Sequence, residues 1–395
     1  MRKEKNNMSQ FDAGVRREGT HCLKWDERKD VFGREDVIPL WVADMDFAAP
    51  EPVIRAIIQR AQHGAFGYSG HNPEDVQAVV RWMKNRHGVD VSEDAVLFSP
   101  GVVDSLRIAV AAVTKPGDAV VVQTPVYGPF YNAVEAAGCV IRRNPLLDTP
   151  EGWKMDFDDL ETALREGARA VLLCNPHNPV GRVWSRAELE QLSALTRRWG
   201  AVLIADEIHA DLEMPGYKNT SVIAVDPDSM ALISATKTFN LAALRHSSAI
   251  IPNPERRKAF QDEYNRRGID GLNLFGALAQ RAAYEEGGPW LDELLEYLDG
   301  TRAFVERFLR ERLPMIHPSR LMGTYLMWLD MRDLGLEGDA LPRFLIDKAG
   351  LGMTNGAYFG PEGAGFMRLN IATPRSNVER AMEQLESALK EAGLC

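Results

Sequence analysis

Seven short apolar, β-branched runs recur along this chain between stretches of helical periodicity, at residues 95–98, 119–123, 139–142, 170–174, 201–206, 231–234 and 247–251. Several are apolar throughout, as in Ala170, Val171, Leu172, Leu173 and Cys174. A strand with one wet face alternates polar and apolar residues, whereas a strand covered by helices on both faces does not. The runs therefore predict an α/β fold built on a mainly parallel, seven-stranded sheet flanked by helices. That sheet falls within residues 51–290, read as one large domain. Beyond it, apolar spacing predicts a long amphipathic helix over 290–313, opening a smaller α/β domain at 291–395. This second unit is expected to hold a strand over 324–330, a helix near 340–349, a glycine-rich loop at 350–365 and a closing helix after 376. Residues 1–50 are expected to pack with it as an N-terminal arm.

A chain of 395 residues with 45% hydrophobic and 26% charged residues can bury cores of this size, and nothing in that balance calls for a membrane. The formal net charge of −10 argues against a nucleic-acid partner, because neutralising phosphates takes a concentrated basic surface. Beyond Arg266-Arg267 and the first few residues there is no basic run. Cys22, Cys139, Cys174 and Cys395 are far apart and form no CxxC pair, so neither a zinc ribbon nor a disulfide framework is suggested, and a reducing cytoplasm fits. The polar opening, residues 1–10, precedes no apolar run and reads as a loose tail rather than a secretory signal.

In open α/β sheets a ligand sits beyond the carboxyl ends of the strands, so the polar residues just after the apolar runs carry the functional information. Three ends stand out. The run 170–174 leads into Asn175-Pro-His-Asn178-Pro-Val-Gly181, the run 201–205 into Asp206-Glu207-Ile208-His209, and the run 231–233 into Ser234-Ala-Thr-Lys237. Taken singly, the carboxylate and the lysine would serve equally well as a plain ion pair. Other chemistries lack parts: there is no GxxxxGK[ST] to cradle a nucleotide, no HExxH, no third ligand beside His177 and His209, and no GxGxxG among the glycines of 350–365. A pyridoxal 5′-phosphate (PLP) site accounts for all three ends together. It requires an amine for a Schiff base, a carboxylate against the pyridine nitrogen, donors to the ring oxygen, a flat partner for the ring and an anion site for the phosphate.

Ten motifs in order carry a resemblance: GTHCLKWD, WVADMDF, FGYSG, SPGVVDSL, TPVYGPF, LCNPHNPVGRVW, ADEIHADL, SATKTFN, GTYLMWLD and MRLNIATPR. With these, over about residues 19–375, the chain resembles the fold-type I PLP enzymes of the aspartate aminotransferase superfamily, in the cystathionine β-lyase and C–S lyase subgroup. The resemblance implies that residues 51–290 form the PLP-binding domain and that Lys237 carries the cofactor and later takes the substrate Cα proton. It implies that Asp206 faces the ring nitrogen, that Asn178 and His209 reach the ring oxygen, and that Tyr127 stacks on the ring. For the phosphate it implies the amides of Val102 and Val103 at a helix start, the Ser234 hydroxyl and Arg245, where aminotransferases of the superfamily place an arginine and lyase-like relatives often do not. Arg368 is implied to hold the substrate α-carboxylate by two parallel hydrogen bonds, and the stretch from Ala43 to Phe47 to line the substrate entrance. Tyr68 resembles a tyrosine supplied by a neighbouring subunit, which implies a homodimer with a shared site.

Once the Cα proton is gone, reprotonation at the cofactor gives transamination and loss of a Cβ substituent gives elimination. The subgroup motifs favour elimination: a cysteine S-conjugate or cystathionine would lose a thiol and leave pyruvate and ammonia, with Lys237 or Tyr127 protonating the sulfur. An aminotransferase using the same residues is the alternative. A regulatory protein that keeps the fold only to bind a partner would be expected to have lost the lysine or the aspartate, and both are present.

Overall fold

The seven runs assemble into one sheet in the computed structural model, which describes residues 9–70, 72–269, 271 and 273–395. In chain order the strands are Val96–Ser99 (β1), Ala119–Thr124 (β2), Val140–Pro145 (β3), Ala170–Cys174 (β4), Val202–Asp206 (β5), Met230–Ile233 (β6) and Ser247–Ile250 (β7). They lie side by side in the order β1-β7-β6-β5-β4-β2-β3. Pairing is parallel from β6 across to β3, and β7 alone runs antiparallel to both its neighbours.

Both faces are covered, as the unbroken apolar pattern requires. On β5, Leu203 and Ala205 pack into one apolar cluster with Leu189 and Leu192 of the helix Arg186–Arg198. Ile204, pointing the other way, packs with Leu106 and Ala109 of the helix Val102–Val113. Each such fully buried leucine or isoleucine contributes about 1.5–3 kcal/mol of transfer free energy, so a polar residue on either face would be costly. The helix Arg186–Arg198 begins at a capping box, with Ser185 accepting from the Glu188 amide while the Glu188 carboxylate accepts from the Ser185 amide.

The predicted long helix is Gly288–Arg312, the predicted helix near 340–349 is Ala340–Asp347, and the closing helix is Arg375–Glu391. A second, antiparallel sheet holds His317–Pro318 (β8), Leu326–Asp330 (β9), Thr354–Asn355 (β10) and Phe366–Asn370 (β11), in the order β10-β11-β9-β8. The stretch read as a glycine-rich loop is more ordered than expected. It contains β10 and a two-residue strand Leu351–Gly352 that pairs in parallel with Ile38–Pro39 of the N-terminal segment. A Cβ on Gly356 would run into the Gly363 carbonyl oxygen, which is the physical need for glycine there. The first eight residues of the polar start lie outside the described residues. Among the described residues no helix is long and apolar enough to cross a membrane.

For the site, the decisive fact is that β4, β5 and β6 are adjacent and parallel. Cys174 pairs with Asp206, and Asp206 with Leu232, so the three carboxyl ends lie level. The turn after β4, the end of β5 and the short helix Ala235–Thr238 after β6 therefore open onto one place.

Candidate active site

A cavity of about 550 Å³ lies at those three ends. From the sheet side it is lined by Asn178, Asp206, His209 and Lys237, with Tyr127 beyond β2 and Val102 and Val103 at the start of their helix. Arg245, Arg368 and Ala43 complete the set of predicted residues that reach it. A separate polar cleft of about 660 Å³, lined by Trp153, Arg302 and His317 among others, contains none of them.

Two predicted residues stand elsewhere. Ser234 is the N-cap of the helix Ala235–Thr238: its hydroxyl accepts from the Thr236 amide at 3.1 Å and donates to the His246 carbonyl at 2.6 Å. That capping duty keeps it off the cavity wall, and Thr236 lines the cavity in its stead. Tyr68 is fully exposed and does not line the cavity of its own chain.

Lys237 is half-buried, and its Nζ, turned inward, donates to the Ala43 carbonyl at 2.7 Å. Burial disfavours the ammonium and pushes its pKa down to about 8, with Arg368 acting in the same sense and Asp44 and Asp206 opposing. Asp206 shows the mirror effect. Desolvation raises its pKa to about 6, against the pull of the Ile208 amide, which donates to Oδ1 at 3.0 Å, and of Lys237. Burial likewise drives His209 well below the ordinary histidine value, so it is neutral, and its Nδ1 has no partner.

Arg368, on β11, is fully enclosed. It donates from Nη1 to Asn178 Oδ1 at 3.0 Å, and from Nη2 to the Trp41 carbonyl at 2.7 Å and to Thr354 Oγ1 at 3.2 Å. Its guanidinium carbon stands 4.9 Å from the centre of the Phe359 ring, and its Nε is buried without a partner. The bond from Arg368 also orients Asn178: with Oδ1 occupied, the side-chain NH₂ is left to donate. Arg245, at φ +41° near the mouth, pairs with Asp104 at 3.0 Å, beside the helix start that Gly101 caps without any side-chain bond.

Sequence reasoning missed Trp41, Thr354, Tyr325 and Tyr358. Tyr325 donates to the same Ala43 carbonyl that Lys237 uses, at 2.9 Å. Tyr358 lies 6.3 Å from Tyr127, ring centre to ring centre, on the cavity wall. Trp41 and Tyr325 sit inside quoted motifs, but as ordinary aromatic residues of apolar segments they carry no local mark of a site.

These groups meet the demands of PLP. A buried carboxylate with one backbone donor calls for a protonated ring nitrogen, a desolvated amine suits a Schiff base, and a buried guanidinium with a free Nε suits a carboxylate. The carboxylate is held at a cost. Because the folded pKa of Asp206 is raised above 3.8, its stabilising contribution is complete below about pH 3.8 and is lost as the pH rises through about 6. Asp206→Asn is accordingly expected to stabilise the protein freed of ligand by about 2–3 kcal/mol at pH 7 and hardly at all at pH 4. Denaturant unfolding at the two pH values checks this, and a variant less stable at pH 7 would contradict it.

The chain is 42% identical over 384 residues to cystathionine beta-lyase PatB of Bacillus subtilis, a match covering 96% of this chain and 99% of that protein. It is 34% identical over 389 residues to protein MalY of Escherichia coli, covering 97% and 99%. Among solved structures it is similar to cystalysin from Treponema denticola, which contains a pyridoxal 5′-phosphate cofactor, with a TM-score of 0.93, 35% identity and coverage of 97% and 99%. The PLP-bound C-S lyase from Staphylococcus hominis gives a TM-score of 0.91 at 30% identity, covering 96% and 98%. Residues 35–385 match the family described as aminotransferase class I and II, and the chain belongs to that family.

Proposed function

We propose that this chain is a PLP-dependent carbon–sulfur β-lyase, which releases a thiol, pyruvate and ammonia from cystathionine or a related L-cysteine S-conjugate. The observation that carries the reading is one cavity holding a desolvated lysine amine, a buried carboxylate and a buried arginine with an unused Nε. Full-length likeness to a cystathionine β-lyase at 42% identity supports elimination as the outcome.

Bound PLP supplies an electron sink that acidifies the substrate Cα–H. Arg368 takes the α-carboxylate and fixes the amino acid in one orientation. Lys237, partly neutral near pH 8, takes the Cα proton once its amine is free. With PLP bound, Asp206 would keep the ring nitrogen protonated, the Asn178 NH₂ and His209 would serve the ring oxygen, and Tyr127 would stack on the ring. The amides of Val102 and Val103, with Arg245, would hold the phosphate. Lys237 or Tyr127 returns a proton to the departing sulfur. The overall reaction would consume one water and release the thiol, pyruvate and ammonia.

The enzyme is further proposed to act as a homodimer in which Tyr68 enters the cavity of a second copy, a role its full exposure outside its own cavity supports. A cytoplasmic setting is supported by four unpaired cysteines, and cell fractionation checks it. The principal test mixes purified protein with cystathionine and no keto acid. Pyruvate should appear, and the active species should sediment at twice the 44.0 kDa of one chain. A product that forms only when a keto acid is added, without pyruvate, would replace elimination by transamination.

A further inference from the structure

Of the stretch expected to line the entrance only Ala43 reaches the cavity, with Trp41 and Val42 before it, while Met45 to Phe47 are buried. Yet the carbonyl groups from Trp41 to Phe47 are allotted in a regular way. The carbonyls of Trp41 and Ala43 accept from Arg368 and Lys237, the two cationic groups of the proposed chemistry. Those of Val42 and Asp44, between and after them, both accept from Asn370 Nδ2, at 2.6 and 2.7 Å. Asn240 takes the next stretch: its Nδ2 donates to the Met45 and Phe47 carbonyls at 2.9 and 2.8 Å, and its Oδ1 accepts from the Met45 amide at 3.0 Å.

Asn370 lies on the strand that carries Arg368, and Asn240 lies in the turn just after the helix that carries Lys237. Asn370 is two residues after Arg368 on β11, so both side chains leave the same face of that strand. Asn240 is three residues after Lys237, in the turn that follows the helix Ala235–Thr238, with φ +58°. That left-handed conformation is one asparagine tolerates and most residues do not. The outer side of the segment is fastened separately. Arg17 grips the Asp44 carboxylate at 2.8 and 2.7 Å, and the fully buried Lys24 meets Asp46 at 2.8 Å.

We infer that Asn240 and Asn370 are positioning residues which seat residues 41–47 as a common acceptor strip, and so set the placement of Lys237 and Arg368 relative to each other. The inference rests on the lyase reading and adds two residues to it. Because Asn370 shares a strand with the carboxylate-binding arginine and Asn240 shares a turn with the lysine, the two should act on different kinetic constants. Loss of Asn370 loosens the Trp41 end, and with it substrate binding. Loss of Asn240 loosens the Met45 to Phe47 end and the turn that directly follows the lysine, and with it proton transfer.

The test compares Asn240→Gly, which keeps the left-handed backbone, and Asn370→Ala with wild type as whole protein. Amide hydrogen exchange over residues 41–47 is measured on protein stripped of cofactor. The pH midpoint of the bound-cofactor absorbance and steady-state kinetics on cystathionine are measured on loaded protein. Asn240→Gly should expose the Met45 amide to exchange about tenfold faster, lower kcat about tenfold with KM little changed, and shift the absorbance midpoint. Asn370→Ala should raise KM about tenfold with kcat little changed. Asn240→Asp should be worse than Asn240→Gly, since a carboxylate would face two carbonyl oxygens. The inference is overturned if both variants exchange like wild type, or if they melt earlier while kcat, KM and the absorbance midpoint stay put. A wild-type protein with neither the lysine-dependent absorbance nor pyruvate release overturns the lyase reading and the inference with it; intact wild-type chemistry with unresponsive variants overturns the inference alone.

Discussion

Lys237→Ala should abolish the absorbance band of bound cofactor near the visible edge and lower pyruvate release by at least about 10,000-fold. The size follows from two losses in one side chain, the amine that holds the cofactor and the base that moves the Cα proton. No neighbour is placed to substitute. His209 is neutral, but neither of its nitrogens can be joined to an aldehyde as a primary amine can, and the Tyr325 hydroxyl is committed to the Ala43 carbonyl and pushed far above the usual phenol range by burial. The variant should fold. Because burial lowers the lysine pKa from 10.5 to about 8, the native state binds the proton less readily than the unfolded chain, and stability lost below about pH 8 returns as the pH rises towards 10.5. Removing the amine should therefore leave ligand-free protein at least as stable at pH 7 as the wild type, with the gap closing in that alkaline window. A variant that kept the band would place the cofactor on some other amine.

Arg368→Lys should raise KM for the amino-acid substrate about 100-fold, a loss of about 2.7 kcal/mol, and leave the cofactor band in place. The guanidinium is planar and already fixed by Asn178, Trp41, Thr354 and the Phe359 ring, which leaves its Nε–H free to meet a carboxylate with little further ordering. A lysine there would keep the charge but offer a point donor on a flexible stem. It would also leave the Asn178 oxygen and the Trp41 carbonyl short of donors in a buried place. Titration with substrate, read through absorbance and initial rates, separates the effect on binding from any effect on chemistry. An unchanged KM would mean that the carboxylate lies elsewhere.

The central strands of the large sheet were legible because burial on both faces writes an uninterrupted apolar pattern, as in β4 and β6, whereas the edge strand β3, Val-Ile-Arg-Arg-Asn-Pro, is only partly buried and was legible from its β-branched start alone. The strand ends were legible for the same reason, since Asn178, Asp206 and Lys237 are polar residues set directly after such runs. The reversed direction of β7 left no trace: Ser247–Ile250 is as buried as the parallel strands β4 and β6, and orientation depends on a connection rather than on composition. Ser234, which the resemblance implies as a phosphate ligand, also stands where a short helix needs its N-cap, a local demand that the motif alone does not display. Trp41, Thr354 and Tyr325 were out of reach because their partners are distant in the chain; Trp41 and Arg368 are 327 residues apart. The asparagines of SATKTFN and MRLNIATPR stood in quoted motifs, yet only the path of residues 41–47 reveals what they hold.

The pleat of β5 bears on how such a protein can diversify. Successive side chains of that strand face opposite layers, so one inserted or deleted residue would rotate Asp206 out of the cavity and bury a hydrocarbon where the carboxylate stood. Heritable novelty in what is accepted has to enter at the rim instead, where Leu23, Trp41 and Tyr358 border the opening and can be exchanged without disturbing strand register. Lineages adapting to bulkier or more polar thiols should thus differ at those three positions while β5 keeps its length.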